Sequence, residues 1–558
     1  MSSELLSGAV ASEQRRASEV GTSILAAGGN AADAIIATIL TVNTLAPYHS
    51  DIGGGGFAII RDKEGRYDSL DFRHTAPAAA NSEFYKNPSV STAIGGAAVA
   101  VPGEIRGLEA LHKKYGRLEW SKLFEGAIKY AKEGAEVGGD LYDFISRECI
   151  PSGSSNLSGS WMESEPMYAS LFQDGQALPI GSIWKRPEYA TTLEKIAAGG
   201  ADVFYQGEIA EGIVKSVRDK GGLMTLDDLK NYRVNWNTPL SIKYRDCTLW
   251  APPAPASGAI WLSAMGILSH FEPTESGSVT DLHRLTEALR LAYGQRTALG
   301  DPAYVPGLEE KQRSWLTPEA LRQRASMISD EKTQEPDYYK PPKVEIVNDN
   351  GTSNITVADS EGLVISITTT VGLPWGSHIM VPGLGLVLND SMDDFSVEGR
   401  PNATGYEPQV ANYVYGGKRP LSSSCPYIVE NSAGHVVLSG GAAGGSTIIG
   451  CNVQVARNVL DYDMTAAEAM RANRLHNQIL PNFSDLERSS THQGITIDGF
   501  SEEQVKGLEG KGHKIRWVEK NRSVPCAIKF VEGQGGKRWE AEGDPRKHDS
   551  GGSVFIAQ

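Results

Sequence analysis

The sequence predicts an α+β protein with helices and sheets in separate layers, and three observations carry that prediction. Helix-periodic apolar stretches dominate residues 12–46, 105–135, 187–233 and 254–335. A β-branched pattern takes over after a proline-rich break at 333–349, and helices return at 446–473 before a run of short strands. Strand runs interleaved with helix runs in this way favour α+β layers over a doubly wound sheet.

The elements follow in order. Residues 12–28 read as a helix that stops at Gly28-Gly29. Asn30 is an N-cap, with Asp33 in the first turn, for an apolar helix running to about Ala46. His49-Ser-Asp-Ile leads into four glycines, 53–56, and then the strand-like Phe57-Ala-Ile-Ile60. Within 254–335, Leu282, Leu285 and Leu289 share one helix face. Residues 333–349 are polar and proline-rich, the composition of an exposed linker. Beyond it, Ile355-Thr-Val alternates, Leu363 to Thr370 is β-branched, and Leu386-Val-Leu is a short apolar strand candidate. Helices are expected at 446–460 and 464–473, and strands near 493–497, 514–518, 526–531 and 553–556. No internal repeat is present.

Length and composition narrow the function classes. The chain has 558 residues, 40% hydrophobic and 22% charged, enough to bury a large core. Glycine accounts for 61 residues, well above the ~7% of an average chain, which points to tight turns or backbone close to a ligand. The net charge is −15 without a basic run, so no nucleic-acid partner and no anionic membrane surface is expected. Five widely spaced cysteines, with no C-x-x-C, indicate neither a disulfide framework nor a zinc site. The first residues lack the features of a signal peptide, and no apolar run reaches the ~18 residues of a membrane span. A cytoplasmic location is the expectation, with export by a non-standard route left open. Sequons such as those at Asn156 and Asn482 carry no weight, since chance explains them equally well.

Several chemistries have no support. G-x-S-x-G, G-x-x-x-x-G-K-[ST] and H-E-x-x-H are all missing, and the 11 histidines are scattered. No metal and no organic cofactor is expected. What remains is a set of Gly-, Ser-, Thr- and Asp-rich turns. Asn350-Gly-Thr352, taken alone, is a turn entering a strand. Its sharper reading is a self-cleavage site, in which the Thr352 hydroxyl attacks the sterically open carbonyl of Gly351. The freed Thr352 would hold a nucleophile and a base in one residue, its own α-amine titrating near ~7.7–8.0.

At this point the chain resembles a known family. Gly28-Gly-Asn-Ala-Ala-Asp-Ala34, Gly53-Gly-Gly-Gly-Phe57, Asp71-Phe-Arg-His-Thr-Ala-Pro77, Val101-Pro-Gly103, Gly351-Thr352, Met392-Asp-Asp-Phe395, Arg419-Pro-Leu-Ser-Ser423, Gly444-Gly-Ser446 and Gly543-Asp-Pro-Arg546 follow one another in family order. Together they resemble the γ-glutamyltranspeptidases, members of the N-terminal nucleophile hydrolases. The resemblance implies an αββα sandwich made as one precursor and cleaved into a large subunit, 1–351, and a small subunit, 352–558, which stay associated as one catalytic unit. It implies Thr352 as nucleophile, Thr370 as the threonine that orients it, and the backbone N–H groups of Gly444 and Gly445 as the oxyanion hole. Arg73, Ser422 and Ser423 would hold the α-carboxylate of a γ-glutamyl donor, and Asp394 its α-ammonium. Water or an amino acceptor would resolve the acyl-enzyme.

Two positions depart from the family pattern, both on the ammonium side. Gly372 stands where the family usually has asparagine, and Ser391 where it usually has Glu or Gln. Shortened contacts there leave γ-glutamyl chemistry in place and widen the expected donors from glutathione to a glutathione conjugate or another γ-glutamyl compound, with Gly372 leaving room for extra bulk. Two alternatives stay open: a same-fold acylase cutting a non-glutamyl amide, and an unprocessed homologue without activity. The stretch from Asp394 to Ser422, with Tyr406, Tyr413 and Tyr415, is long enough for a lid and equally reads as a surface loop.

Overall fold

The protein is described by a computed structural model that covers residues 7–149, 161–339, 351–400, 408–519, 523–533 and 536–556. Most of the linker, Tyr406 and the sequon at Asn156 lie outside the described residues.

Two large, mainly antiparallel sheets form the centre. The seven-stranded sheet runs, edge to edge, Gly551–Ile556, Ser7–Ser12, Gly351–Ala358, Val364–Gly372, Gly55–Arg61, Tyr67–Asp71 and Asn235–Asn237. The six-stranded sheet runs Gly536–Gly543, Val524–Gly533, Val436–Ala443, Tyr427–Asn431, Cys247–Ala251 and Leu240–Tyr244. Each sheet carries helices on its outer face. Ile35, Ile36 and Ile39 of the helix Ala31–Leu45 share a core with Ile355, Val357, Ile365 and Ile367 of the first sheet. Trp261, Leu285 and Leu289, from the helices Gly258–Leu268 and Val279–Arg296, share a second core with Val429 and Leu438 of the other sheet. The architecture is the expected αββα sandwich.

Alternation along the strand Gly351–Ala358 decides what faces the middle. Ile355 and Val357 point to the helices, so the residues between them, Thr352, Asn354 and Thr356, point to the second sheet. Thr356 Oγ1 meets Ser439 Oγ across the gap at 2.8 Å, and Ser366 Oγ donates to the Gly440 carbonyl at 2.9 Å. Small hydroxyl side chains let the sheets approach closely, and their polar atoms are satisfied across the seam rather than by water. Apolar contacts among Ala9, Ile59, Ala358, Ile428 and Ile528 close the rest of it.

The predicted helix starts hold. Asn30 caps Ala31–Leu45 through its side chain, and Asp33 returns the bond to the Asn30 N–H at 3.0 Å, a reciprocal capping box. One strand expectation fails: Leu386-Val-Leu makes only isolated bridges, Val387 to Met380 and Leu388 to Gly53. Its apolar side chains are buried in a loop, where burial and not pairing explains the composition. Cys247, Cys425, Cys451 and Cys526 are buried and free. Among the described residues, no helix is long and apolar enough to cross a membrane.

Residues on either side of position 351 interleave in both sheets, so the two segments share one core. The Gly543-Asp-Pro-Arg546 block ties this core near the C-terminus. Arg546 grips Glu487 in a two-point ion pair, at 2.5 and 2.7 Å, while Asp544 accepts from Arg474 at 2.6 Å. All four side chains are within 2% of full burial. Removing one cation leaves a buried carboxylate unpaired, so Arg546→Met is expected to destabilise the protein by about 3–5 kcal/mol in denaturant unfolding.

Candidate active site

The end of the strand Gly351–Ala358 brings four expected residues, Gly351, Thr352, Thr370 and Gly372, into contact. Thr352 lies beside Thr370 on the neighbouring strand, and Gly351 beside Gly372, with a register shift between Gly351 and Thr352. That bulge turns the 351–352 peptide out of the regular ladder. The Thr352 hydroxyl donates to Thr370 Oγ1 at 3.2 Å, the Gly372 N–H donates to the same oxygen at 2.8 Å, and Thr370 Oγ1 donates to the Gly351 carbonyl. A hydroxyl has one proton and two lone pairs, so Thr370 is saturated and its rotamer is set. One side chain therefore touches both the hydroxyl that would attack and the carbonyl that would be attacked. Thr352 and Thr370 are buried. Gly351 has no room for a side chain: a Cβ there would lie 2.6 Å from the Gly372 and Leu373 carbonyl groups.

Gly444 and Gly445 close the strand Val436–Ala443 in the other sheet and open a 3₁₀ turn that runs into the helix Ile448–Leu460. Both have positive φ, 117° and 62°, a conformation that favours glycine. The first N–H groups of a helical segment have no acceptor within it and carry partial positive charge. The inter-sheet register carries them toward Thr352: Thr356 faces Ser439 and Asn354 faces Gly441, so two residues further Thr352 comes level with Ala443, next to Gly444.

The charged residues form the adjoining wall. Arg73 follows the strand Tyr67–Asp71, is fully buried, and pairs with Asp394 on the 3₁₀ turn Ser391–Asp394. The two residues expected to hold opposite charges of one ligand thus neutralise each other. Ser423 Oγ accepts from Arg296 at 2.8 Å, and Ser422 Oγ lies 3.0 Å from Ser424 Oγ. Arg296 was not anticipated; the signal for it is an arginine in the last turn of a helix that is otherwise almost wholly buried. Ser391 Oγ lies 3.1 Å from His74 Nδ1, and burial together with Arg73 pushes His74 well below its usual range, so its ring is neutral.

The expectation that Gly372 leaves room is corrected. Its φ is +100°, and a Cβ would sit 1.8 Å from Asp390 Oδ1. The space a side chain would fill is occupied by the Asp390 carboxylate, an acid that sequence reading passed over. Within the lid candidate, Asn412 Nδ2 donates to the Asp394 carbonyl at 2.7 Å, and Tyr415 is exposed with its ring parallel to Tyr304. Residues 408–422 are therefore tied to the site wall at Asn412.

One cluster of metal-donor residue types occurs among the described residues, His283, Glu287 and His513. Its atoms are engaged in other bonds. His283 bridges His513 Nε2 and the Ser329 carbonyl at 2.8 and 2.7 Å, and Glu287 accepts from Thr333 and Tyr339, both at 2.6 Å.

The steric reading of position 372 is open to measurement. Gly372→Ala is expected to lose several kcal/mol in thermal unfolding, because a strained φ adds to a collision with Asp390. Gly28→Ala, at φ +91° with nothing within 4 Å, is expected to cost only about 1–2 kcal/mol.

Comparison with known proteins identifies the family. The family model described as gamma-glutamyltranspeptidase matches residues 17–554. A glutathione hydrolase proenzyme of Arthroderma benhamiae is 40% identical, over 98% of this chain and 92% of that protein. A glutathione hydrolase of Aspergillus flavus is 38% identical, over 98% and 90%. Among solved structures, a cephalosporin acylase from Bacillus halodurans superposes with a TM-score of 0.82 at 25% identity, covering 100% of this chain and 96% of that one. A family model that spans residues 17–554, with relatives 38–40% identical over 98% of the chain, places this chain in the γ-glutamyltranspeptidase family.

Proposed function

We propose that the chain is a γ-glutamyl hydrolase and transferase that first cleaves itself between Gly351 and Thr352. The observation that carries this reading is the Thr370 hydroxyl, bonded at once to the Thr352 hydroxyl and to the Gly351 carbonyl. Thr352 Oγ1 adds to the Gly351 carbonyl carbon, and the C–N bond breaks as the proton passes to nitrogen, leaving an ester. Water hydrolyses that ester, giving a carboxylate at Gly351 and restoring the Thr352 hydroxyl beside the amine freed in the first step. The products are the large subunit 1–351 and the small subunit 352–558, held together by the shared sheets.

The mature enzyme repeats the chemistry on a donor. Thr352 Oγ1 attacks the γ-carbonyl carbon while the α-amine takes the hydroxyl proton. The N–H groups of Gly444 and Gly445 stabilise the oxyanion, a type of contact worth about 10²–10³ in rate. The amine leaves with the proton returned from the α-ammonium, and water or an amino acceptor then cleaves the acyl-enzyme. Arg73 receives the donor α-carboxylate, with Ser422 and Ser423 beside it, and Asp394 turns to the α-ammonium. Donor entry thus exchanges one ion pair for two, and no buried charge stands alone at any stage. Glutathione and its conjugates are the donor class that the relatives' names support.

A second reading, a same-fold acylase on a non-glutamyl amide, is favoured by the shape match to the cephalosporin acylase and by Gly372 and Ser391. Rates with γ-glutamyl, glutaryl and simple acyl anilides separate the two.

The intact mass of the purified protein tests the proposal first. Fragments of about 38 and about 22 kDa, scaled by length, are expected, the smaller beginning at Thr352. Thr352→Ala is expected to stay at the 60.0 kDa of the whole chain and show no turnover. Thr370→Ala is expected to slow cleavage about 100-fold, with Thr370→Ser restoring most of the rate. A wild-type chain that folds but stays whole sinks the proposal and leaves the unprocessed, inactive alternative.

A further inference from the structure

Asp390 is a buried carboxylate with no part in the chemistry so far. Its N–H donates to the Val371 carbonyl at 2.9 Å, and its Oδ1 accepts from the Leu373 N–H at 2.8 Å, so it is fastened to the strand end that carries Thr370. The same Oδ1 fills the position of a side chain at 372. Oδ2 is buried and has no hydrogen-bond partner. Two further carboxylates are close: Asp393, which accepts from Thr92, and Asp394, which holds Arg73. Burial first, then Asp393 and Asp394, push Asp390 well above the usual carboxylate range. A buried acid with an open oxygen beside other acids is unfavourable until a cation reaches it.

Which cation can arrive follows from the neighbours. Arg73, the guanidinium of this wall, is already bonded to Asp394 and reserved for a carboxylate. The partner that Asp390 Oδ2 lacks must then enter with the substrate. We propose that Asp390 is a specificity-determining residue for the donor, its Oδ2 accepting a hydrogen bond from the donor's α-ammonium beside Asp394. Asp390 thereby takes over the work of the side chains shortened at Gly372 and Ser391, and the enzyme selects γ-glutamyl over glutaryl donors. The inference rests on the γ-glutamyl reading above.

The test compares the mature wild type with Asp390→Asn, which keeps an oxygen for the Leu373 N–H. Each is given γ-glutamyl-p-nitroanilide and glutaryl-p-nitroanilide, which differ only in the amine. The wild type is expected to prefer the γ-glutamyl donor. Asp390→Asn is expected to lose about 10- to 100-fold in kcat/KM on that donor, mainly through KM, the range for a bond to a charged group. On the glutaryl donor it is expected to change less than about 2-fold, a split that a merely structural role would not produce. Asp390→Ser, which relieves any crowding by the amide, is read by the same ratio, with intact mass recording that each variant matures. An unchanged γ-glutamyl to glutaryl ratio in both variants overturns the role of Asp390 and leaves the γ-glutamyl reading standing. A wild type that turns over the glutaryl but not the γ-glutamyl donor overturns both.

Discussion

One hydroxyl, that of Thr370, organises the candidate site. It has a single proton to give and two lone pairs to share, and three groups of the site claim all of them. Its position is secured by the strand Val364–Gly372, hydrogen-bonded on both sides, to Gly351–Ala358 and to Gly55–Arg61. A central strand is the most rigid place the fold offers for a hydroxyl bonded both to Thr352 and to the Gly351 carbonyl. The bulge at Gly351 completes the arrangement by lifting the peptide from the ladder at that point alone.

The seam between the sheets explains why the site lies where it does. Facing residues are threonine, serine, asparagine and glycine, small enough for two sheets to approach and polar enough to bond across the gap. At the end of that seam, the last inward-facing residue of one sheet comes level with the glycine turn of the other. Thr352 and the glycine turn before the helix Ile448–Leu460 are thereby carried toward each other by the packing of whole sheets. Beyond it lies a buried wall in which Arg73 pairs with Asp394 and Asp390 Oδ2 has no hydrogen-bond partner. Arg73 and Asp394 hold each other in the empty site, so a zwitterionic ligand can enter by exchange without stripping either ion bare.

Much of this was legible in the residues. The capping pair Asn30 and Asp33, the β-branched run to Thr370 and the glycines at 444–445 each announce a local conformation with few alternatives. Gly372 was misread for a definable reason. A missing side chain in a sequence looks like space, but here the Asp390 carboxylate, eighteen positions along the chain, fills it. Leu386-Val-Leu misled in a similar way, since apolar residues record burial and do not say whether the burial is in a sheet or in a loop. Arg296 was invisible because its partner, Ser423, lies far away in the chain.

By itself the sequence determined the layered α+β class and the order of the blocks that mark the family, and it offered Gly351-Thr352 as the candidate cleavage site. These are local properties: periodicity, turn chemistry and the identity of adjacent residues. The tertiary structure alone decided that Thr370 touches both sides of that bond, that Arg73 and Asp394 are partners, and that an acid fills the position of the absent side chain. Such facts depend on which strands pair and how two sheets stack, and hydrogen bonds and ion pairs form between neighbours in space whatever their separation along the chain.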